Sequence, residues 1–416
     1  MKKLLLILLC FPMIGLGQNF FETYGYIKFD SGKSVQQTTD GGYIITGSRE
    51  RASSTWNETD VYLIKTDGNG DEQWYQTFGG WNDQNYGTSV QQTTDGGYII
   101  AGVGSNNLIK TDGVGFMQWS KYFAVKAESV QQTTDGGYII AGSNLSLVSS
   151  DVCLIKTNIN GDTLWSKTFG GTDDDRGFSV QQTSDGGYII CGYTKSYGNG
   201  SADVFLLKTD GSGTAQWYQT FGGTDDDEGY SVQQTTDGGY IITGTTSSFG
   251  NGSEDVYLIK TDGSGIEQWD YTFGTTGYES SSSVQQTNDG GYVIAGRKST
   301  SVEGFNILLL KVNGSGAYEW DREGGGSYDD GGHSVQKTDD GGYVVTGYTG
   351  NPTYADVFLL KVDENGFMSS TSIQEHTTNK ELLKVTDLLG RETKQTNQPL
   401  FYIYDDGTVE KRIVIE

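Results

Sequence analysis

The chain has 416 residues, of which 62 are glycine and only three proline, with 12% aromatic residues and a formal net charge of −25 at pH 7. So acidic a surface repels nucleic acid and anionic lipid and favours solubility and cations. Abundant glycine beside a 34% hydrophobic share fits short strands joined by tight turns.

Residues 1–17 join a basic start, Lys2 and Lys3, to an apolar run from Leu4 to Leu16, with Gly15 and Gly17 just before Gln18. This is the pattern of a secretory signal peptide and is too short for a spanning helix. Leu9, not a small residue, precedes Cys10, so no lipoprotein cleavage is expected there. The mature chain is expected to be soluble, with no transmembrane segment, and its charge falls from −25 to −27 with the two lysines gone. Cys153 and Cys191 then remain, each at a position filled by ordinary core residues in other copies of the repeat, so both are expected as core thiols.

Seven copies of Ser-Val-Gln-(Gln/Lys)-Thr-x-Asp-Gly-Gly-Tyr follow, the last with Asp before its own Asp-Gly-Gly. Their valines are Val35, Val90, Val130, Val180, Val232, Val284 and Val335, at spacings of 55, 40, 50, 52, 52 and 51 residues. A period of this size marks an array of supersecondary units, none of which buries its apolar face alone. In the copy from Ser231 to Phe273, Ser231–Thr235 alternates as a half-buried strand and Asp237-Gly238-Gly239 turns the chain. Tyr240–Gly244 is a second, more apolar strand, Asp255–Lys260 a third, and Gln268–Phe273, with Trp269, the fourth. Four antiparallel strands per period describe one propeller blade.

The fourth strand, marked by Trp74, Trp119, Trp165, Trp217, Trp269 and Trp320, occurs only six times. The segment Phe20–Gly25 imitates Tyr218–Gly222 and precedes the first unit. The expected fold is therefore all-β, a seven-bladed β-propeller over residues 18–366, closed by its N-terminal strand so that neither terminus leaves a raw edge. The units resemble kelch-type propeller repeats in Gly-Gly-Tyr-(Val/Ile), Asp-Val-(Tyr/Phe) and the Trp about a dozen residues on. They are also similar to the Trp-docking repeats of quinoprotein propellers, as in Asp262–Trp269. Ala-Gly or Thr-Gly stands where kelch units carry Gly-Gly, and the adjacent cysteine pair of quinone-binding enzymes is missing, so the tryptophans are expected to pack blade on blade.

Strand alternation puts the connections after the second and fourth strands on one rim, and these vary in length and content. Recognition sits on variable loops held by a rigid frame, so the binding face is expected there. Its aromatic candidates are Trp56, Trp81, Tyr86, Tyr193, Tyr197, Phe249, Tyr278 and Tyr348, which can stack on sugar rings or grip a protein partner. Arg49, Arg51, Arg176 and Arg297 on the same loops can bind acidic-glycan carboxylates, scattered surface arginine being the plain alternative. Asp173, Asp174 and Asp175, with Asp225, Asp226 and Asp227, are candidate calcium ligands, against a merely solvated acidic rim. No catalytic residue is assigned. His333 breaks the repeat where other copies carry Phe178 or Tyr230, with Asp329 and Asp330 close by, and a substituted aromatic is its plain reading.

From residue 367 the composition changes. Asp387, Gly390 and Arg391, then Tyr404 and Gly407, then Lys411 and Arg412 give the pattern Asp-x-x-Gly-Arg, Tyr-x-x-Gly and a basic-apolar end. Residues 367–416 resemble the C-terminal sorting domain of type IX secretion substrates in Bacteroidetes. That likeness implies passage through the periplasm, recognition by the type IX secretion machinery, and a secreted or cell-surface destination. The whole is expected to be a non-catalytic binding module for a glycan or protein ligand. The alternatives are a secreted glycoside hydrolase or polysaccharide lyase, and a structural surface protein without a specific ligand.

Overall fold

The computed structural model describes residues 19–25, 28–51, 58–80, 84–146, 148–300, 304–326, 328–351, 354–368, 382–386, 399–404 and 409–413. Two compact units divide the chain, Met1–Met368 and Ser369–Glu416. The first is a β-propeller of seven blades, each a sheet of four antiparallel strands. In blade five these are Asp227–Gln234, Tyr240–Thr246, Asp255–Thr261 and Glu267–Phe273, from the channel outward. The inner strand begins four residues before Ser231, because a β-bulge lets pairing continue through residues that the sequence suggests are loop.

Inner strands of successive blades touch around the whole ring, with Asp329–Lys337 of blade seven meeting Asp30–Gln37 of blade one. Blade seven takes its outer strand from the N-terminus, Phe20–Tyr24 pairing antiparallel with Tyr354–Val362 in a register of Phe20 with Lys361. The six-to-seven mismatch in tryptophan count is thus a closure device.

The core lies between blades. One cluster joins Ile189, Cys191, Val204 and Leu206 of blade four to Val232, Tyr240, Ile242, Tyr257 and Ile259 of blade five, with Trp217 packed against it. Trp217 meets the Tyr240 ring at 5.9 Å, and the same pairing recurs at Trp74–Tyr98, Trp119–Tyr138, Trp165–Tyr188, Trp269–Tyr292 and Trp320–Tyr343. The indole also covers the turn of the next blade: a Cβ on Gly265, whose φ is +81°, would stand 2.6 Å from Trp217. Glycine is needed there for both the left-handed backbone and the contact. At the closure Phe20 replaces the indole, 6.1 Å from Tyr43, and Tyr24 donates its hydroxyl to the Gly70 carbonyl. Cys153 and Cys191 are buried free thiols in this core.

Every blade also holds a buried lysine at the end of its third strand. Lys260, 2% exposed, donates to Asp237, to the Thr261 carbonyl and to Gln268. Lys65, Lys110, Lys156, Lys208, Lys311 and Lys361 reach the matching aspartates of their own blades. Partial burial works against ionisation of Asp237, yet hydrogen bonds from Thr235, Gly239 and Lys260 prevail and hold its carboxyl down at about 2. Asp135, Asp185 and Asp289 are held at about 2 by the same kind of set.

The residues Leu382–Thr386, Pro399–Tyr404 and Val409–Ile413 of the second unit form a three-stranded antiparallel sheet. Tyr404 closes its second strand, and Lys411 and Arg412 lie in its third; Asp387, Gly390, Arg391 and Gly407 fall outside the described residues.

Deleting residues 19–25 should lower the melting temperature by many degrees, because it strips blade seven of its outer strand and blade one of the Phe20 contact; an unchanged calorimetric melt would contradict this closure. Carboxyls whose folded pKa lies below the ordinary 3.8 add stability that is present above that value and lost as pH falls through the folded one. The melting temperature should therefore hold down to about pH 4 and drop between pH 4 and 2. Changing Asp135, Asp185, Asp237 and Asp289 together to asparagine should flatten that step.

Candidate functional site

Each inner strand carries one bulge. Pairing with the second strand skips a residue between Gly32 and Ser34, Gly87 and Ser89, Ala127 and Ser129, Gly177 and Ser179, Gly229 and Ser231, Ser281 and Ser283, and Gly332 and Ser334. The skipped residues are Lys33, Thr88, Glu128, Phe178, Tyr230, Ser282 and His333, different in every copy. A bulge re-aims the side chain it adds. Here the invariant glycine of the second strand permits it: a Cβ on Gly244 would stand 1.7 Å from the Glu228 carbonyl oxygen, and one on Gly192 1.8 Å from that of Arg176.

The flanking residues do the opposite work and are uniform. The Val232 amide donates to Ser179 Oγ of the preceding blade at 3.3 Å and the Gln234 amide to Gln181 Oε1 at 2.6 Å. The same two bonds recur at all seven junctions, including Val35 to Ser334 and Gln37 to Gln336 across the closure.

All seven bulge residues line one cavity of about 420 Å³ at the axis, joined by Tyr86, Tyr278, Ser280, Ser281 and Arg297. Its wall is not symmetrical. Where blades seven and one meet, the His333 Nδ1–H donates to the Gly32 carbonyl at 2.7 Å, which leaves Nε2 to accept from the Lys33 ammonium at 3.3 Å. Burial and the neighbouring Lys33 charge push the imidazole down to about 3, and burial brings Lys33 down to about 8. In blade six Arg297 lies over Tyr278 and Phe305, 5.1 and 4.6 Å from their centroids, and donates to Ser280 Oγ and to the Tyr278 hydroxyl. Blades four and five give an aromatic wall, Phe178 standing 5.3 Å from Tyr230 and 5.8 Å from Tyr193. Tyr230 donates its hydroxyl to Glu228, and burial raises the carboxyls of Glu228 and Glu128.

The candidates from the sequence therefore separate. Tyr86 and Tyr278 are in the funnel, Tyr193 is buried behind Phe178, and Tyr348 packs on His333 at 5.3 Å. Tyr197 lies farther out over Phe205 and Tyr218, and Phe249 over Tyr257. Trp56 and Trp81 fall outside the described residues. Of the arginines only Arg297 lines the cavity; Arg49 covers Tyr62 and Tyr75, Arg51 pairs with Asp60 and Glu58, and Arg176 lies over Tyr193.

The acidic runs divide as well. Asp175 and Asp227 are buried first residues of inner strands. Asp175 Oδ2 accepts from the Gly171 amide and the Ser196 hydroxyl, and Asp227 Oδ2 from the Gly223 amide and the Ser248 hydroxyl. Asp174 and Asp226 accept from the Ser150 and Ala202 amides, while Asp173 and Asp225 are exposed. Among the described residues no group of three or more His, Cys, Asp or Glu gathers as a metal would require.

Besides Tyr86, Tyr278 and Arg297, sequence reasoning noticed three of the seven bulge residues, His333, Phe178 and Tyr230. The residue before Ser-Val is the one column of the inner strand in which all seven copies disagree, and that column carries the signal.

No family model and no curated protein matches the chain. Among solved structures, the WD40 domain of Neurospora crassa Pan2 is similar at 10% identity with a TM-score of 0.51, over 83% of this chain and 96% of that one. The extracellular domain of a protein described as a one-component system of B. thetaiotaomicron matches at 11% identity and 0.51, over 92% of this chain and 51% of that one. A catalytically inactive virginiamycin B lyase from Staphylococcus aureus with quinupristin matches at 10% identity and 0.50, over 83% and 100%. At such identities the likeness is one of fold alone, that of a β-propeller.

Proposed function

We propose that this protein is a non-catalytic binding module, working outside the cell or at its surface, whose ligand enters the central funnel. The observation that carries this reading is the bulge column. Units alike nearly everywhere else place seven different side chains, one per blade, around a single cavity. A rigid frame that presents variable groups to one point is suited to recognition. A glycan or a protein segment is the proposed ligand. Calcium is a proposed helper at the turns of Asp173–Asp175 and Asp225–Asp227, where the exposed Asp173 and Asp225 carboxylates stand beside loop backbone.

The leader over residues 1–17 and the sorting-domain likeness of the tail support export through the periplasm by the type IX machinery. One observation favours a second reading, an enzyme acting on polysaccharide: the neutral imidazole of His333 in contact with Lys33 resembles a proton-transfer pair.

A glycan and peptide screen of the full chain, with calcium and with chelator, tests the binding reading. Ligands should be lost on Phe178→Ala and Tyr230→Ala and kept on Tyr197→Ala and Phe249→Ala. Dependence on the outer pair alone would overturn the funnel as the site, new reducing or unsaturated ends would favour the enzyme, and binding kept under chelator would remove calcium from the proposal. Removing residues 384–416 should hold the protein in the periplasm, and release to the medium at the full-length level would overturn the export assignment.

A further inference from the structure

The lysine at the end of each third strand is neutralised by an aspartate, as the cost of burying an unpaired charge requires. Two cations in the funnel are treated differently. Lys33 has a neutral imidazole as its hydrogen-bond partner, and an ammonium carries three donors. Arg297 is fixed by ring faces and by the oxygens of Ser280 and Tyr278, with further guanidinium N–H groups to spare. Among the described residues no carboxylate closes an ion pair on either, in a chain of net charge −25. Two cations facing one carboxylate, Glu128, with no direct ion pair on either, leave the cavity a net positive charge, which suits it to an anion.

The rest of the lining narrows the anion. Glu128 faces the same space, so Lys33, Arg297 and Glu128 sum to one positive charge, which a monoanion neutralises and a phosphate dianion over-fills. Phe178 and Tyr230, in blades four and five, stand across the ring from Lys33 of blade one, with Tyr230 next to the blade of Arg297, and their flat faces suit a ring carrying C–H groups. Hydroxyls of Thr88, Ser280 and Ser282 line the same cavity, which suits a polyol better than an apolar side chain.

We propose that the funnel binds an acidic saccharide, with its singly charged group, a uronate carboxylate or a sulfate ester, between Lys33 and Arg297 and its ring against Phe178 and Tyr230. This rests on the binding-module reading above. The cations select charge, the aromatic wall selects a ring, and a cavity of about 420 Å³ suits a chain end or a short oligosaccharide.

The test is calorimetric titration of the full chain with oligogalacturonate, with a sulfated galactan oligosaccharide and with a neutral galacto-oligosaccharide. The variants are Lys33→Gln, Arg297→Gln and Phe178→Ala, each first confirmed as folded by its melting curve. One or both acidic probes should bind, at least tenfold more weakly to each variant, and the neutral probe should not bind; the two acidic arms tell carboxylate from sulfate. Acidic probes that bind the two glutamine variants as tightly as the parent would overturn the proposal. Binding of the neutral probe, sensitive to Phe178→Ala and indifferent to Lys33→Gln, would overturn the acidic ligand while leaving the binding module standing. Silence from all three probes would overturn the saccharide and pass the funnel to the peptide arm of the wider screen.

Discussion

An inner strand has a hydrogen-bonded neighbour on one side only, and the other edge faces a crowded axis where another blade stands too far away to pair as a sheet. Unpaired buried amides there would cost on the order of 1–3 kcal/mol each. The chain answers with side chains: Ser179 and Gln181 reach the Val232 and Gln234 amides of the next blade, and equivalent residues repeat this around the ring. That lateral bond explains why Ser-Val-Gln recurs without change, and it fixes the spacing at which tryptophan, tyrosine and turn glycine meet. The lysine staples are local to each blade, whereas the serine and glutamine bonds make seven sheets into one body.

The fold was largely legible because each of its parts is written several times. Tyr240 and Trp217 can be matched as partners once the period is known, and a missing tryptophan after Lys361 points back to Phe20. The site was less legible for a physical reason. A bulge is a relation of register between two strands, and Gly244 announces it only when one knows which carbonyl lies opposite. Radial position is also invisible along the chain: Tyr278 and Phe249 both read as rim aromatics, yet one lines the axis and the other covers the third strand of its blade. The acidic runs show the same limit, since their members Asp175 and Asp227 are buried acceptors for backbone and hydroxyl donors, which composition does not reveal.

Stability and recognition are therefore assigned to neighbouring residues of one strand. Ser231 and Val232 hold the neighbour while Tyr230, beside them, faces the funnel. A change at the bulge residue leaves the serine and glutamine bonds and the tryptophan–tyrosine stacks between blades in place, so most of the funnel can be altered without loosening the ring; Thr88 and His333, which also bond the Ala127 and Gly32 carbonyls of the next blade, are the exceptions.

The closing strand has a consequence for how the molecule comes into being. Phe20 pairs with Lys361, so the ring is complete only when the last blade exists, and blades one to six must form with an open seam. The entropy of joining such distant segments grows only as the logarithm of their separation, about 0.6 kcal/mol per doubling, so closure is cheap once both ends are present. Timing is the constraint instead. A chain delivered from its N-terminus releases Phe20–Tyr24 first and must keep it unpaired, with its phenylalanines uncovered, until residue 362 has followed. During that interval the segment is a sticky flap, open to a chaperone or to the seam of a second unfinished copy, and exchange of this strand between molecules is the misassembly to which the architecture is exposed.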